Sequence, residues 1–372
     1  MFNPFVIQEI PVNAPFCNRV KELERLASYA RSNQSVVLYS PRRFGKTSLV
    51  KRVQAKLAQD GFVTIFVDFY GVSSIDEVAG RLARSVFQVT HDNDPLWKKA
   101  LRFITAYRPV LKPSEDGMEI TVETTRGPTE VELLDRTIES LGRFIREAGH
   151  PVNIAFDEFQ EIVTLPDALK IEATLRKNIQ EHQAAYFFIG SRRRVLLGMF
   201  NERQRPFFQS AFNFPLPPLP ANEFAAFIAM LFAERKIHCT MDEALEIAEK
   251  VQCHPGYGQK LASCVFNLAA EKGAVTGKLM DEAYNMMLQL EKPFFEANLQ
   301  GLSIQQKALL RAIAKEPTEG LFSVDFMGTH NLGSIGGVQG ARKQLEVLDL
   351  IEKGEDGVWR VVDPAFAVWL RR

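Results

Sequence analysis

Apolar residues along the first half of the chain follow two alternating patterns. Short, nearly continuous apolar runs lie at residues 36–39, 63–69, 152–156 and 186–189, as is typical of strands buried on both faces of a sheet. Between these runs, apolar residues recur every three or four positions, which indicates amphipathic helices. The strand–helix alternation predicts an α/β fold with a parallel sheet and helices on both of its faces.

Further elements surround these strands. The helical pattern covers residues 19–31, 45–59, 75–107 and 129–148. The stretch from Pro109 alternates in polarity around Asp116-Gly117, a pair that is typical of a hairpin turn. Residues 213–220 begin as a last short strand and continue into a proline-rich connector.

The second half of the chain is helical and then changes character. Helices are predicted at 223–234, 241–251, 259–272 and 277–290, with a break at 253–258. Beyond Ser303, helices at 305–315, 323–328 and 334–348 lead into a hairpin that turns at Asp356-Gly357. Three helices and a hairpin have the layout of a winged helix. We therefore predict three domains, an α/β core (1–220), a helical domain (221–295) and a winged-helix domain (296–372).

Composition excludes several classes of protein. The 45 basic residues balance the 45 acidic ones, which argues against a surface coated for nucleic acid, although a local basic patch is compatible with a neutral total. The four cysteines form no CxxC pair, so free thiols are expected rather than a disulfide framework or zinc site. The N-terminus lacks the pattern of a signal peptide, and no apolar run approaches the ~20 residues of a membrane span. We expect a cytoplasmic protein without a membrane partner.

A phosphate-binding motif follows the first predicted strand. It reads Ser40-Pro41-Arg42-Arg43-Phe44-Gly45-Lys46-Thr47, close to GxxxxGK[ST]. Backbone N–H groups and the following helix N-terminus supply partial positive charge for phosphates. Gly45 permits close backbone approach, Lys46 places an ammonium on the β and γ phosphates, and the Thr47 hydroxyl can ligate Mg²⁺. Ser40 replaces the first glycine, so the strand before the loop and the helix after it are what make the nucleotide prediction specific.

Two acidic residues end a later apolar strand. Asp157 and Glu158 follow the run that begins at Val152, and carboxylates at the carboxyl end of a parallel strand point into the ligand crevice. We expect Asp157 to hold Mg²⁺. Glu158 is expected to orient or deprotonate the attacking water. A merely polar strand end is the alternative.

Polar residues after the next strand are candidates for sensing the γ-phosphate. This strand should lie between the phosphate-loop strand and the Asp-Glu strand, which places Ser191 or Arg192 near that phosphate. Arg193 and Arg194 either join them or form a solvated basic turn. Arg203 and Arg205 are candidate arginine fingers.

With these residues in place, the chain resembles the ATPase family described as predominantly archaeal. That family belongs to the STAND group of signal-transducing P-loop ATPases, close to AAA+ and origin-recognition-type proteins. The resemblance rests on five segments, Phe16–Leu23, Pro41–Leu49, Asp157–Gln160, Gly190-Ser191 and His254-Pro255-Gly256.

The resemblance implies a sheet with strand order 5-1-4-3-2, a helical lid and a C-terminal winged helix. It also implies ATP or ADP with Mg²⁺, Arg19 near the adenine, Ser48 in the phosphate loop, and His254 and Pro255 in the lid turn. His254 stands where AAA+ relatives place a second sensor arginine, and capping of a helix is an equal interpretation of this histidine. The serine at position 40 also departs from the family, which usually has glycine there, and leaves the turnover rate open.

The charge of the predicted winged helix bears on its partner. Residues 301–372 contain nine Lys or Arg and nine Asp or Glu, and DNA-binding domains usually carry an excess of positive charge. Both interpretations stay open, DNA contact on the one hand and docking to a protein partner or to the chain's own domains on the other.

Three functions are compatible with the sequence as a whole. They are an ATP-hydrolysing switch, a DNA-binding ATPase of origin-recognition or mobile-element type, and a nucleotide-binding scaffold with little turnover.

Overall fold

The computed structural model describes residues 2–91, 93–114, 117–124, 129–354 and 356–372. The chain divides into two compact units. We call one the sheet unit, Arg19–Ser40 with Lys46–Leu216, and the other the helical unit, Met1–Asn18 with Pro41–Gly45 and Pro217–Arg372.

A five-stranded parallel sheet forms the centre of the sheet unit. Its strands are β1 (Val36–Tyr39), β2 (Val63–Asp68), β5 (Val152–Asp157), β6 (Ala184–Gly190) and β7 (Phe212–Pro215). Their spatial order is β2-β5-β6-β1-β7. Counted along the sheet-forming strands only, this is the expected order 5-1-4-3-2, so the predicted α/β P-loop fold is confirmed.

Burial explains the continuous apolar runs of the central strands. Every residue of β5 and β6 is buried, because helices cover both faces of a parallel sheet. Around the ends of these strands, aromatic rings form a cluster in which Phe159 lies 4.8 Å from Phe188 and 5.5 Å from Phe207, measured between ring centroids. This packing fixes the segment that follows the acidic strand end.

The helices of the sheet unit match the predicted pattern with two exceptions, the stretch 75–107 and an unpredicted helix at residues 193–201. They are α1 (Val20–Arg31), α2 (Lys46–Gln59), α3 (Ile75–Thr90), α4 (Asp94–Phe103), α5 (Glu130–Glu147), α6 (Ala168–Ile179) and α7 (Arg193–Asn201). The stretch 75–107, predicted as helical throughout, is two helices, because Asn93 accepts a hydrogen bond from the backbone of Leu96 and so starts a new helix.

The predicted hairpin lies between α4 and α5. Strands β3 (Tyr107–Ser114) and β4 (Gly117–Thr124) pair antiparallel, with Tyr107 opposite Thr124. Gly117 opens β4, whereas Glu115 and Asp116 lie outside the described residues.

The helical unit contains the remaining elements. They are α8 (Ala221–Glu234), α9 (Met241–Lys250), α10 (Pro255–Ala269), α11 (Gly277–Gln300), α12 (Ile304–Lys315), α13 (Val324–Thr329), α14 (Ile335–Val347), β8 (Ile351–Lys353), β9 (Trp359–Val361) and α15 (Pro364–Arg371). Helices α12 to α14 and the β8–β9 hairpin are the predicted winged-helix elements. Within the described part of the chain, no helix is long and apolar enough to cross a membrane.

Two helix boundaries in this unit differ from the predicted ones, and one helix was not predicted. Helix α10 begins at Pro255 rather than at Gln259, because His254 caps it and proline is tolerated at the first position. Helix α11 continues through Pro293 to Gln300 rather than ending at Leu290, so the predicted boundary at 295/296 falls inside a helix. Helix α15 was not predicted, although Asp363 caps it through the backbone N–H groups of Ala365 and Phe366.

Candidate nucleotide site

The phosphate loop ends at a glycine and leads directly into helix α2. Gly45 has a φ of +82°, in the region that favours glycine, and Lys46 then opens helix α2. The Lys46 ammonium is buried and donates a hydrogen bond to the backbone carbonyl of Ser40 at 3.1 Å. Ser40 is not among the described residues with positive φ. This position therefore accepts serine without backbone strain.

Thr47 and Asp157, the two predicted cation ligands, are in contact. The Thr47 hydroxyl donates to Asp157 Oδ2 at 2.6 Å. Burial raises the pKa of Asp157 to about 6; the hydrogen bond from Thr47 acts in the opposite direction, and the carboxylates of Glu158 and Asp68 add to the increase. A buried group of oxygen ligands surrounded by negative charge is suited to a hard divalent cation.

Glu158 is held in a defined position. Its backbone lies in the left-handed region, with φ at 48°, a conformation that is uncommon for residues other than glycine. The Ser191 hydroxyl donates to both carboxylate oxygens at 3.0 and 3.1 Å, and the Gln160 amide donates to Oε2. The predicted base and the predicted sensor Ser191 are thus in direct contact.

Glycine at position 190 makes this arrangement possible. A Cβ atom there would lie 1.9 Å from the Gln160 side-chain oxygen, a distance that no pair of non-bonded atoms allows. A larger residue at this position would therefore require the Gln160 side chain to move from its place beside Glu158.

The arginines after β6 lie in different surroundings. The Arg192 guanidinium is 3.7 Å from the Glu161 carboxylate, while Arg193 and Arg194 form the first turn of α7. Arg205 forms an ion pair with Glu172, whose side chain is fully buried on α6. This pairing gives Arg205 a structural role inside the sheet unit, whereas Arg203 is exposed.

The two candidate arginine fingers can be separated by mutation. Arg205→Gln leaves the buried Glu172 without its cation, which is expected to lower the free energy of unfolding by about 1–3 kcal/mol. The loss is limited because burial already raises the pKa of Glu172 to about 7, so this carboxyl can take up a proton instead. Arg203→Gln is the matched control and should leave urea denaturation unchanged. Equal stability of the two variants would contradict the structural role of Arg205.

Arg43 and Phe44 belong to the helical unit. Arg43 Nη1 donates to Glu291 Oε2 on α11 at 2.9 Å, and the Phe44 ring lies 4.7 Å from the His254 ring. Burial alone would raise the pKa of Glu291, but hydrogen bonds from Lys260 and Arg43 outweigh it and hold the pKa below its usual value. A Cβ at Gly256 would lie 2.6 Å from Arg43 Cβ, so glycine is needed where α10 meets residue 43.

Other residues singled out in the sequence have local roles. His254 Nδ1 accepts a hydrogen bond from the Tyr257 backbone at 3.2 Å and caps α10, which matches the interpretation as a helix cap. Arg19 is buried with a φ of +69° and pairs with Glu22 at 2.9 Å, just before α1. Pro255 begins α10, Ser48 is buried in the first turn of α2, and Pro41 and Arg42 lie in the loop between β1 and α2.

Three residues contribute to the site or to the contacts of its loop without having been predicted from the sequence. Asp68 ends β2 directly opposite Asp157 in the strand register. An acidic residue at the end of a predicted strand is the sequence signal that could have identified it. Gln160 and Glu291 were not assigned roles, because their importance comes from contacts with Glu158 and Arg43 that span two and 248 residues of sequence, respectively. Only the Arg43–Glu291 pair is long-range, and it leaves no local pattern in the sequence.

Comparison with protein families identifies two regions of the chain. Residues 16–189 match the model of an ATPase domain predominantly from Archaea, and residues 293–372 match that of a probable winged helix domain. No curated protein matches the chain.

Solved structures with the same fold cover nearly the full length. A Walker-type ATPase of Pyrococcus abyssi is 16% identical, with 99% of this chain and 100% of that chain covered and a TM-score of 0.72. The ORC2 protein of Aeropyrum pernix, in ADPNP–ADP complexes, is 17% identical over 98% and 94% of the two chains, with a TM-score of 0.61. The ORC1 protein of the same organism, in complex with DNA, is 16% identical over 99% and 96%, with a TM-score of 0.54. The chain thus carries an ATPase domain of the predominantly archaeal type and, at its C-terminal end, a winged helix domain.

Proposed function

We propose that this protein is an ATP-hydrolysing molecular switch of the STAND and AAA+ type, in which the nucleotide state controls the helices that follow the ATPase domain. The observation that carries the proposal is the ion pair between Arg43, a phosphate-loop residue, and Glu291 on α11. Arg43 lies three positions before the phosphate-binding Lys46, so a change in the loop on nucleotide binding moves the anchor of this ion pair.

The chemistry assigned to the site uses this chain's own groups. Lys46 holds the β and γ phosphates, and Thr47 and Asp157 hold Mg²⁺. When bound, Mg²⁺ supplies positive charge that offsets the charge of the phosphates. Glu158 orients the attacking water and accepts its proton. The hydrogen bonds from Ser191 and Gln160 keep the Glu158 carboxylate in place.

A chain of polar contacts in the helical unit supports the switch. Glu291 is shared between Arg43 and Lys260 on α10. One turn earlier on α10, the Tyr257 hydroxyl donates to Asp363 Oδ2 at 2.6 Å, and Asp363 caps α15. Residue 43 of the phosphate loop is therefore connected through α10 and α11 to the last helix after the wing.

Hydrogen exchange provides the test. In the wild-type protein, ATP is expected to change the amide exchange of α10 and α11, and Arg43→Ala should abolish this change because it removes the ion pair. The neighbouring exposed Arg42→Ala is the matched control and should keep it. A full ATP-dependent change in the Arg43→Ala protein would overturn the switch as proposed, and ATP binding to each variant is measured in parallel.

The alternative function as a DNA-binding ATPase receives less support from charge. Arg342 on α14, the helix that precedes the β8–β9 hairpin, pairs with Glu346 at 3.3 Å, and Arg360 on the wing strand β9 pairs with Asp356. Cations that are already paired contribute less to the binding of phosphates. We therefore propose that the winged helix docks to a protein partner or to the chain's own domains, and that DNA is the second candidate.

A further inference from the structure

A pocket of about 610 Å³ opens in the helical unit, outside every site described above. Three helices line it: the C-terminal part of α11, the end of α12 and the end of α15. Six of its lining residues are charged, and five of these are basic: Lys292, Arg311, Lys315, Arg371 and Arg372, against Glu296 alone. The pocket therefore has a strong excess of positive charge in a domain whose total charge is balanced.

Little of this charge is neutralised locally. Arg311 and Lys315 are exposed on α12, and neither has an acidic partner among the residues that the structure describes. Glu316, next to Lys315, is directed instead toward His330 Nε2 at 3.0 Å. Lys292 is 3.6 Å from Glu296, a separation at the outer limit of an ion pair.

The arginines at the end of α15 are fixed by contacts that keep their charge. Arg371 Nε donates to the backbone carbonyl of Ala314, and Arg372 Nη2 donates to Asn285 Oδ1 at 2.7 Å. Each contact uses one of the five N–H donors of a guanidinium and no negative charge. Both groups are thereby held at the pocket with donors left for an anion.

We propose that this pocket binds a small molecule that carries two or more adjacent phosphates. Arginine and lysine are the side chains that recognise phosphate oxygens, the former through paired N–H groups. Clustered cations in a concave site focus their field on a compact anion. Trp369 also lines the pocket and offers an aromatic surface beside the phosphates. A concavity bounded by three helices fits a compact polyphosphate better than the convex rod of a duplex, which would need cations spread along an exposed ridge.

Calorimetric titration with inorganic tripolyphosphate tests the proposal. All proteins carry Lys46→Ala, so that binding at the phosphate loop is weakened equally. Arg311→Glu with Lys315→Glu is expected to weaken tripolyphosphate binding by about tenfold or more, because two cations that contact the phosphates become anions. The matched control, Lys343→Glu with Lys353→Glu, makes the same change in net charge on exposed lysines of α14 and β8. Arg311→Gln with Lys315→Gln provides a milder pair should the charge reversal impair folding.

The outcomes separate this site from general electrostatics and from the nucleotide site. Selective loss in the α12 variants, with binding retained in the control, supports the pocket. Equal loss in both pairs, or no saturable binding, overturns it. A parallel titration with adenosine diphosphate distinguishes two possible ligands. One is a nucleotide whose base adds to the affinity through Trp369, and the other is an inorganic polyphosphate. If a DNA duplex binds through Arg311 and Lys315 while tripolyphosphate does not, the pocket is a nucleic-acid surface and the proposal is wrong.

Discussion

Replacing Glu158 by glutamine is expected to reduce the rate of ATP hydrolysis by about 10²–10⁴-fold and to leave ATP affinity nearly unchanged. Glutamine keeps the size of the side chain and can still accept the hydrogen bond from Ser191, but it cannot accept a proton from water. The Ser191 and Gln160 contacts position this side chain, so the loss should appear in kcat rather than in the KM for ATP.

Single-turnover hydrolysis and equilibrium ATP binding together check this expectation. Glu161→Gln is the matched control, because it removes a carboxylate that lies four positions after the end of β5 and 3.7 Å from the Arg192 guanidinium. It should retain most of the wild-type rate. If wild type and Glu158→Gln hydrolyse ATP equally slowly, the protein is a nucleotide-binding scaffold, and the hydrolytic function proposed here is wrong.

Much of the fold could be predicted because its signals are local. Continuous apolar runs identified β1, β2, β5 and β6, and their alternation with helices dictates a parallel sheet. Asp157 and Glu158 could be recognised because polar residues that follow a buried strand of a parallel sheet face a ligand crevice. The contact of Thr47 with Asp157 joins two such local motifs across 110 residues of sequence.

The elements that sequence missed depend on competing or distant effects. Helix α11 was expected to end near Leu290, but Phe295 beyond Pro293 is fully buried and stacks with Phe366 at 5.2 Å, so tertiary packing outweighs the cost of a proline. Helix α15 is short and apolar, and its cap, Asp363, resembles an ordinary turn residue in sequence. Arg205 is a candidate arginine finger in the sequence because it follows soon after the strand that leads to the nucleotide site. Its buried partner Glu172 lies 33 positions away, so the sequence does not indicate this ion pair.

Replacing Asp157 by asparagine is expected to have opposite effects on activity and on stability. Mg²⁺-dependent hydrolysis should fall by about 10²-fold or more, since a cation ligand loses its charge. The nucleotide-free protein should nevertheless become more stable at pH 7.5, by about 1–3 kcal/mol. Asparagine can still accept the hydrogen bond from Thr47, but its amide nitrogen cannot accept the one that Asp157 Oδ1 takes from the Glu158 backbone N–H, so this range is the net of both effects.

The sign of the stability effect follows from the pKa. In the folded protein the pKa of Asp157 is raised from 3.8 to about 6, which means that folding favours the protonated carboxyl. Its contribution to stability is therefore fully present below about pH 4 and is lost as the pH rises through 6. Above pH 6 the buried carboxylate costs stability, and asparagine removes this cost. The two proteins should accordingly differ at pH 7.5 and converge near pH 4.

Thermal and urea unfolding across this pH range, with and without Mg²⁺ and ATP, measure the effect. Asp94→Asn, which changes a carboxylate whose side chain is 85% exposed, is the control for the change in net charge. Mg²⁺ with ATP should stabilise the wild type more than the Asp157→Asn protein, because ligand binding to the folded state adds to its stability. A variant less stable than wild type at pH 7.5 would show that the ionised Asp157 is stabilised in the folded protein by its hydrogen bonds more than it is destabilised by burial. Asp157 would then not be a buried carboxylate whose ionisation lowers the stability of the protein in the absence of a cation. A variant more stable than wild type would show that the carboxylate that destabilises the nucleotide-free protein is the same group that binds the cation.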